Sequence, residues 1–414
     1  MSGAPRIGRR AAQWLTLLLA AVVAGQQIAV ASEVPLRPQT ESLVELRQAG
    51  GLDPATAIVV DDVVRATRSE STIWHRLTLR LLSVTRGDNV IQQAEDGFGY
   101  PLLVSAVESS APILPTTTRA ALAGGQAVVG EIAAELRGAE IGDQLQLEAV
   151  TGEVIPVTIG AIVPDTEIRW SEVLVGLDVA AVLGIDRPFE VVIWGDSLPR
   201  VQAALRLALP QPAVRVLGPA WIDHSTSDPV LPIAIVKQRF GEFALRPAES
   251  DAVEVDDEWF DTWIVDVELP IVGLTRCHRM VTPYVRAALL EVERAGLDGV
   301  LDVADFQLAG GCYNPRFNRG ADPGYSLSRH SWGIAIDFNP STNQYGAEPT
   351  MPAEVVEIFR RWGFSWGGSW SVPDGMHFEW SHLPEVYPSN CSDLTMIETP
   401  PANSWLLAPG RGCS

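Results

Sequence analysis

Polar and apolar residues alternate with period two at Arg76-Leu77-Thr78-Leu79-Arg80-Leu81, which predicts a strand with one buried face. Gln144-Leu145-Gln146-Leu147 repeats the pattern. Residues 154–162 continue it beyond Thr151-Gly152, where a hairpin turn is expected. Residues 190–194 and 213–217 read as further strands. Between them Val201, Leu205 and Leu209 share one helical face, with Asp196 or Ser197 as cap and Pro199 in the first turn. The helical period returns twice in the second half. Val285, Leu289 and Val292 form a stripe opened by Thr282 as N-cap and Pro283 as first helical residue, and closed by Gly296. Val355, Val356, Phe359 and Trp362 form another over 352–362, stopped by Gly363. Residues 300–306 predict a strand. Residues 333–338 and 377–380 predict two more, with Ile334, Ile336, Phe338, Phe378 and Trp380 turned to the core. The fold class expected is α+β: a small antiparallel sheet with flanking helices at the C-terminal end, preceded by a separate β-rich α/β domain.

Composition sharpens the outline. The chain has 414 residues, 47% of them hydrophobic, and a net charge of −21. That charge excludes a nucleic-acid binder, which needs a basic surface. Residues 249–268 hold nine carboxylates and no Lys or Arg. They read as a solvated strap whose Trp259, Phe260, Trp263 and Ile264 pack on the next domain, with divalent-cation binding as the alternative. Arg6, Arg9 and Arg10 before an apolar run at 14–25, then Ala29-Val30-Ala31, form an export signal cleaved before Ser32. A retained N-terminal anchor is the alternative, and an extracellular or cell-wall location is expected either way. Four cysteines in an exported chain favour disulfides; of the three possible pairings, the one expected is Cys277–Cys312 with Cys391–Cys413, which keeps each bridge within a compact region. The layout expected is a signal at 1–31, a flexible segment at 32–54, a β-rich domain at 55–220, a linker and acidic strap at 221–268, the chemistry-bearing domain at 269–388 and a Cys-containing tail at 389–414.

The candidate chemistry lies in two runs. His330 precedes Asp337 by seven residues, and Asp374 precedes His377 by three. Two imidazoles and a carboxylate can hold Zn²⁺ and leave a fourth position for water. His330 and Asp337 have opposite parity along a strand, so a turn at Ser331–Gly333 must fold His330 back. Pairing the two strands would bring His377 to Asp337. Asp374, on the loop entering the second strand, is the candidate general base for the metal-bound water, and Glu379, facing the same way as His377, is its rival. Arg316 is the candidate partner for a developing oxyanion. His75 stands alone. His224 sits beside Asp223 and Ser225, too close in sequence for a triad.

Ser328-x-His330-x-x-Gly333-x-Ala335-x-Asp337, followed by Asp374-x-x-His377, closely resembles the two metal motifs of the zinc D-alanyl-D-alanine carboxypeptidases (VanY-type), which share the D,D-peptidase/hedgehog fold. Tyr313-x-x-Arg316 resembles that family's substrate arginine motif. The resemblance implies His330, Asp337 and His377 as zinc ligands and Asp374 as catalytic base. Arg316 would be a catalytic and substrate-holding group, and Tyr313 and Ser328 would line the substrate side. The implied substrate is a peptidoglycan stem peptide, cut at D-Ala-D-Ala or, since Asp374 is shorter than glutamate, at an L-Ala-D-Glu or cross-bridge bond. A non-catalytic wall-binding or permease-associated module is the reading from another class. Residues 140–147, 157–163 and 173–175 faintly resemble the extracytoplasmic core of MacB- and FtsX-like permeases, which implies membrane or transporter contact through the N-terminal domain.

Overall fold

The computed structural model describes residues 44–48, 52–195, 198–209, 214–217, 230–302, 311–318, 326–370 and 372–382. The export signal, the cap residues Asp196 and Ser197, His224, and the Cys391–Cys413 pairing lie outside them.

The first half is built on one mixed sheet. Its strands are β1 (Val44–Gln48), β2 (Glu70–Arg86), β3 (Asn89–Gln93), β4 (Tyr100–Val107), β5 (Ala127–Gly130), β6 (Gln144–Glu148), β7 (Val154–Val163), β8 (Val173–Gly176), β9 (Pro188–Trp194) and β10 (Val214–Leu217). The alternation at 76–81 belongs to β2, a strand of 17 residues. That length lets β2 pair with β9, β4, β6 and β3 along different stretches. The pairings β2–β4, β4–β8, β8–β5, β5–β7, β7–β6 and β6–β2 return to their start, closing a barrel. A register shift between Leu81 and Ser83 gives β2 the bend that closure requires. Leu79, Leu81, Leu102, Val104, Leu145, Leu147, Val157 and Val173 fill the interior. The expected 6–7 hairpin is present, with Gly152 at φ 83°. β9, β1 and β10 extend the sheet as a wing. Two helices cover the wing, α1 (Pro54–Thr67) and, after the short α2 (Thr116–Ala123), α3 (Glu131–Arg137) and α4 (Leu177–Leu183), α5 (Leu198–Ala208). Val60 and Val64 of α1 and Val201 and Leu205 of α5 pack on Leu46 and Val191.

From 233 on, the stretch expected as linker and strap (221–268) folds into regular elements, the last of them reaching one residue beyond it: α6 (Ile233–Phe240), β11 (Leu245–Pro247), β12 (Val253–Val255), α7 (Asp257–Trp263) and β13 (Ile264–Leu269). The acidic residues include the N-cap of α7, Asp256, whose side chain accepts from Trp259 N–H. The expected aromatic packing holds: Trp259 is buried against Phe243 and Phe243 against Trp332. β13 pairs with β14 (Gly273–His278), and α8 (Thr282–Arg294) follows. Thr282 is the first helical residue of α8 rather than its cap. Its hydroxyl donates to the His278 carbonyl instead of accepting from a helix N–H, and the helix starts one residue earlier than expected. The strand expected at 300–306 begins as a 3-10 turn at Asp298–Val300, and 303–310 lie outside the described residues.

A three-stranded antiparallel sheet completes the fold. β15 (Ala335–Asp337) and β16 (Phe364–Trp366) flank β17 (His377–Trp380), while α9 (Ala353–Arg361) packs on α8. Phe338, Phe359 and Phe378 form the floor, with ring centroids 4.6–6.0 Å apart.

The barrel meets the second half through a buried ionic cluster. Lys237 of α6 lies 2.8 Å from Glu172 and 3.1 Å from Glu242, and also donates to the Pro101 carbonyl. Arg137 contacts the same two carboxylates. Two backbone hydrogen bonds of 2.9 Å join Gly99 to Leu245 beside it. Removing one member of such a cluster leaves an uncompensated buried charge. Lys237→Ala is therefore expected to cost about 3–5 kcal/mol. Lys237→Met with Glu172→Gln, which keeps the charges balanced, should cost much less. Denaturant unfolding of both variants checks this.

Candidate metal centre

The turn that had to fold His330 back is a 3-10 turn, Arg329–Trp332. Ser328 opens it, its hydroxyl accepting from His330 N–H at 3.3 Å. Gly333 closes it at φ 65°, a left-handed conformation that glycine adopts without penalty. A Cβ at Gly333 would also lie 2.8 Å from the backbone nitrogen of His278, so the turn sits against the end of β14 through a close approach only glycine permits. His278 N–H donates to the Gly333 carbonyl there, at 2.9 Å. β15 follows at once, and its register against β17 places Asp337 opposite His377.

His330, Asp337 and His377 thereby converge. One ligand atom from each lies within 4.8 Å of the others, and all three side chains are buried. Asp337 Oδ1 is 3.1 Å from His330 Nε2 and 2.9 Å from His377 Nδ1. Each ring is oriented from behind. His330 Nδ1 lies 3.1 Å from the Cys312 carbonyl, an acceptor only, so Nδ1 carries the hydrogen and Nε2 presents a lone pair. His377 Nε2 lies 3.3 Å from Glu379 Oε2. Glu379, expected as rival base, faces the outer nitrogen of a cluster residue and is also 3.8 Å from Arg329 Nε.

The electrostatics favour a cation. His330 Nε2 is buried without a hydrogen-bond partner although the Asp337 oxygen is close. Two lone pairs face each other there, an arrangement that a metal ion between them resolves. Against the desolvation of burial, hydrogen bonds to Asp337 and Glu379 raise His377 to about 10, so in the metal-free site a proton supplies the positive charge. Against the same desolvation, the imidazoles hold Asp337 well below the usual carboxylate range. Burial lowers His330. Two nitrogens, each on a ring held by an outer hydrogen bond, and one carboxylate oxygen suit Zn²⁺.

The remaining expected residues divide. Asp374 stands outside the three-residue group, on the loop before β17. Burial pushes it up to about 6, and its Oδ1 has no hydrogen-bond partner. Arg316 is buried, with Nη2 3.8 Å from Asp337 Oδ2. Its segment is held by the Ser331 hydroxyl and by Asp251 and Val253 of the acidic stretch. Ser328 is only 3% exposed and caps the turn, so it shapes the His330 loop from beneath and offers no surface to a substrate. Tyr313 packs its ring on Phe260 at 5.4 Å, on the α7 side, where burial raises its hydroxyl. Sequence reasoning missed two contributors. The Cys312 carbonyl has no side-chain signature. Trp370, its ring 5.4 Å from that of His377, follows the 3-10 turn Gly367–Ser369, and a lone tryptophan carries no metal-site signal in sequence.

Residues 321–380 match the family model described as D-alanyl-D-alanine carboxypeptidase. The matched stretch carries His330, Asp337, Asp374 and His377, and ends at the last residue of β17. Cys277, Cys312 and Arg316 precede it. Among curated proteins, none matches the chain. The match covers no part of the barrel, and the likeness of the N-terminal region to permease domains gains no support.

Proposed function

We propose that the protein is an exported zinc peptidase that hydrolyses the stem peptides of peptidoglycan, with a D-Ala-D-Ala terminus as its first substrate. The observation that carries the reading is the convergence of His330 Nε2, Asp337 Oδ1 and His377 Nδ1, with the half-buried Asp374, which is not part of the group, coupled electrostatically to His377 and Asp337. The family match at 321–380 supports the peptidase class. The charged n-region and Ala29-Val30-Ala31 support export. When bound, zinc supplies a Lewis acid and lowers the pKa of a coordinated water to ~7.

The chain's own residues supply the rest. His330 and His377 present lone pairs fixed by the Cys312 carbonyl and Glu379. Asp374, ionised above about pH 6, accepts the proton of the attacking water at its free Oδ1 and returns it to the leaving nitrogen. Arg316 offers a guanidinium to the developing oxyanion. Digestion of purified muropeptides by the zinc-loaded protein tests the reading. Release of D-Ala supports it. New amino groups on L-Ala-D-Glu or cross-bridge fragments would redirect it to an endopeptidase, and unchanged muropeptides would leave a binding module. Glu379→Gln is expected to weaken zinc binding about 10–100-fold through loss of the oriented imidazole. Competition with a chromophoric chelator measures that loss.

A further inference from the structure

Cys277 and Cys312 are joined by a disulfide. Both are buried, at 0% and 2% exposure. Cys312 does two things at once. Its sulfur ties it to β14, and its carbonyl holds His330 Nδ1 at 3.1 Å. The neighbour of Cys277 on β14, His278, holds the other side of the same ring's support: its N–H donates to Gly333, the residue that closes the His330 turn. His278 is itself fixed, with Nε2 3.2 Å from the Phe240 carbonyl, Nδ1 accepting from Met280 N–H and its ring stacked on Trp263. Two consecutive residues at the end of β14 therefore grip the turn that carries His330 and the carbonyl that sets its tautomer. The segment after Cys312 repeats the tie: Tyr313 N–H donates to Arg276, Asn314 N–H to the His330 carbonyl, and Arg316 N–H to the Ser331 hydroxyl.

We propose that the Cys277–Cys312 bridge is a positioning element of the metal site, setting the His330 ring through the Cys312 carbonyl, so that metal affinity depends on the bridge. The inference rests on the zinc reading above. It goes beyond the matched stretch, since both cysteines lie before residue 321. A bridge that merely stabilised the fold would lower the melting temperature and leave affinity for zinc alone. A bridge that sets a ligand lowers affinity out of proportion to stability.

The test uses full-length protein in a Cys391→Ser/Cys413→Ser background, so that only this bridge is at issue. Cys277→Ala/Cys312→Ala is compared with that parent and with Val285→Ala, a destabilised control from the α8 core. A second arm reduces the parent with dithiothreitol. Two electrons and two protons convert the bridge to two thiols, and the dithiol becomes its cyclic disulfide. This arm serves if the double variant does not fold. Zinc affinity is measured by chelator competition, and the tautomer of His330 by nitrogen chemical shifts in metal-free protein labelled at its six histidines. The expected result is an affinity about 10–100-fold weaker without the bridge, unchanged in Val285→Ala, with His330 passing from a fixed Nδ1–H form to an average. Zinc affinity within about twofold of the parent, with His330 still fixed, overturns the proposal and leaves the zinc reading intact. A parent that binds no zinc, but whose His330 is released when the bridge opens, sinks the zinc reading and keeps the positioning role.

Discussion

Asp374→Asn is expected to lower kcat/KM by about 10²–10⁴-fold, the range of a lost general base, while zinc still binds one per chain. The same substitution is expected to stabilise the metal-free fold. Burial raises Asp374 from 3.8 to about 6, so between those values the folded state holds a proton that the unfolded chain has released. Stability therefore falls as pH rises through that window, and above it the buried carboxylate costs up to roughly 3 kcal/mol. Asparagine carries no such charge, so the gain in melting temperature is present at pH 8 and vanishes below about pH 4. Activity moves the opposite way. The base works only when ionised, so kcat/KM rises with pH through an acid limb at or below about 6, since a cation in the cluster would shift Asp374 lower. Metal analysis, melting curves at several pH values and pH–rate profiles together separate this from a folding defect. Equal activity in Asp374→Asn would remove the residue from the mechanism. A loss of both zinc and stability would make it a structural group.

Why the site was legible while much of its setting was not follows from the range of the interactions. Asp337 and His377 sit on strands whose alternation is visible in sequence, and period two alone puts both on one face. His330 had the wrong parity. Gly333 was the local sign that the chain turns there, because a left-handed residue ends the 3-10 turn. Glu379 was legible as a residue facing the same way as His377, and only the structure shows that it meets the ring's outer nitrogen. The Cys312 carbonyl was not legible, because every residue has a carbonyl and only the fold selects one. The barrel was hidden for a similar reason. β2 and β6 announce themselves by alternation, but β5 and β8 are buried at every position and carry none, and the closing pair β2–β6 joins residues about 60 positions apart, which no local pattern encodes. The acidic stretch misled because charge on its exposed face hid Val253 and Val255, which are buried and anchor an ordinary strand. Its edge also holds the Arg316 segment, so it belongs to the scaffold of the site.

His377→Ala is expected to abolish zinc binding and reduce hydrolysis to background, and the parent protein should reveal why by the protons it releases. In the metal-free site His377 is held protonated up to about pH 10 between Asp337 and Glu379. A metal ion needs its Nδ1 lone pair, so binding must expel that proton. His330 is lowered by burial and Asp337 is held ionised, so neither has a proton to give at neutral pH. Zinc binding at pH 7.5 should therefore release the His377 proton and most of a second, from a coordinated water whose pKa the metal would bring to ~7. Calorimetry in buffers of different ionisation enthalpy counts the protons. The stability of the metal-free fold has the complementary sign. A raised histidine contributes stability that is fully present below its unfolded value of 6.5 and is lost as pH rises through about 10. A bound metal would take the place of the Nδ1 proton beside Asp337, so the loaded protein should show little of that loss. Release of less than one proton, no more than the coordinated water supplies, would mean that His377 is neutral in the empty cluster, and the argument that the cluster is built for a cation would fail with it.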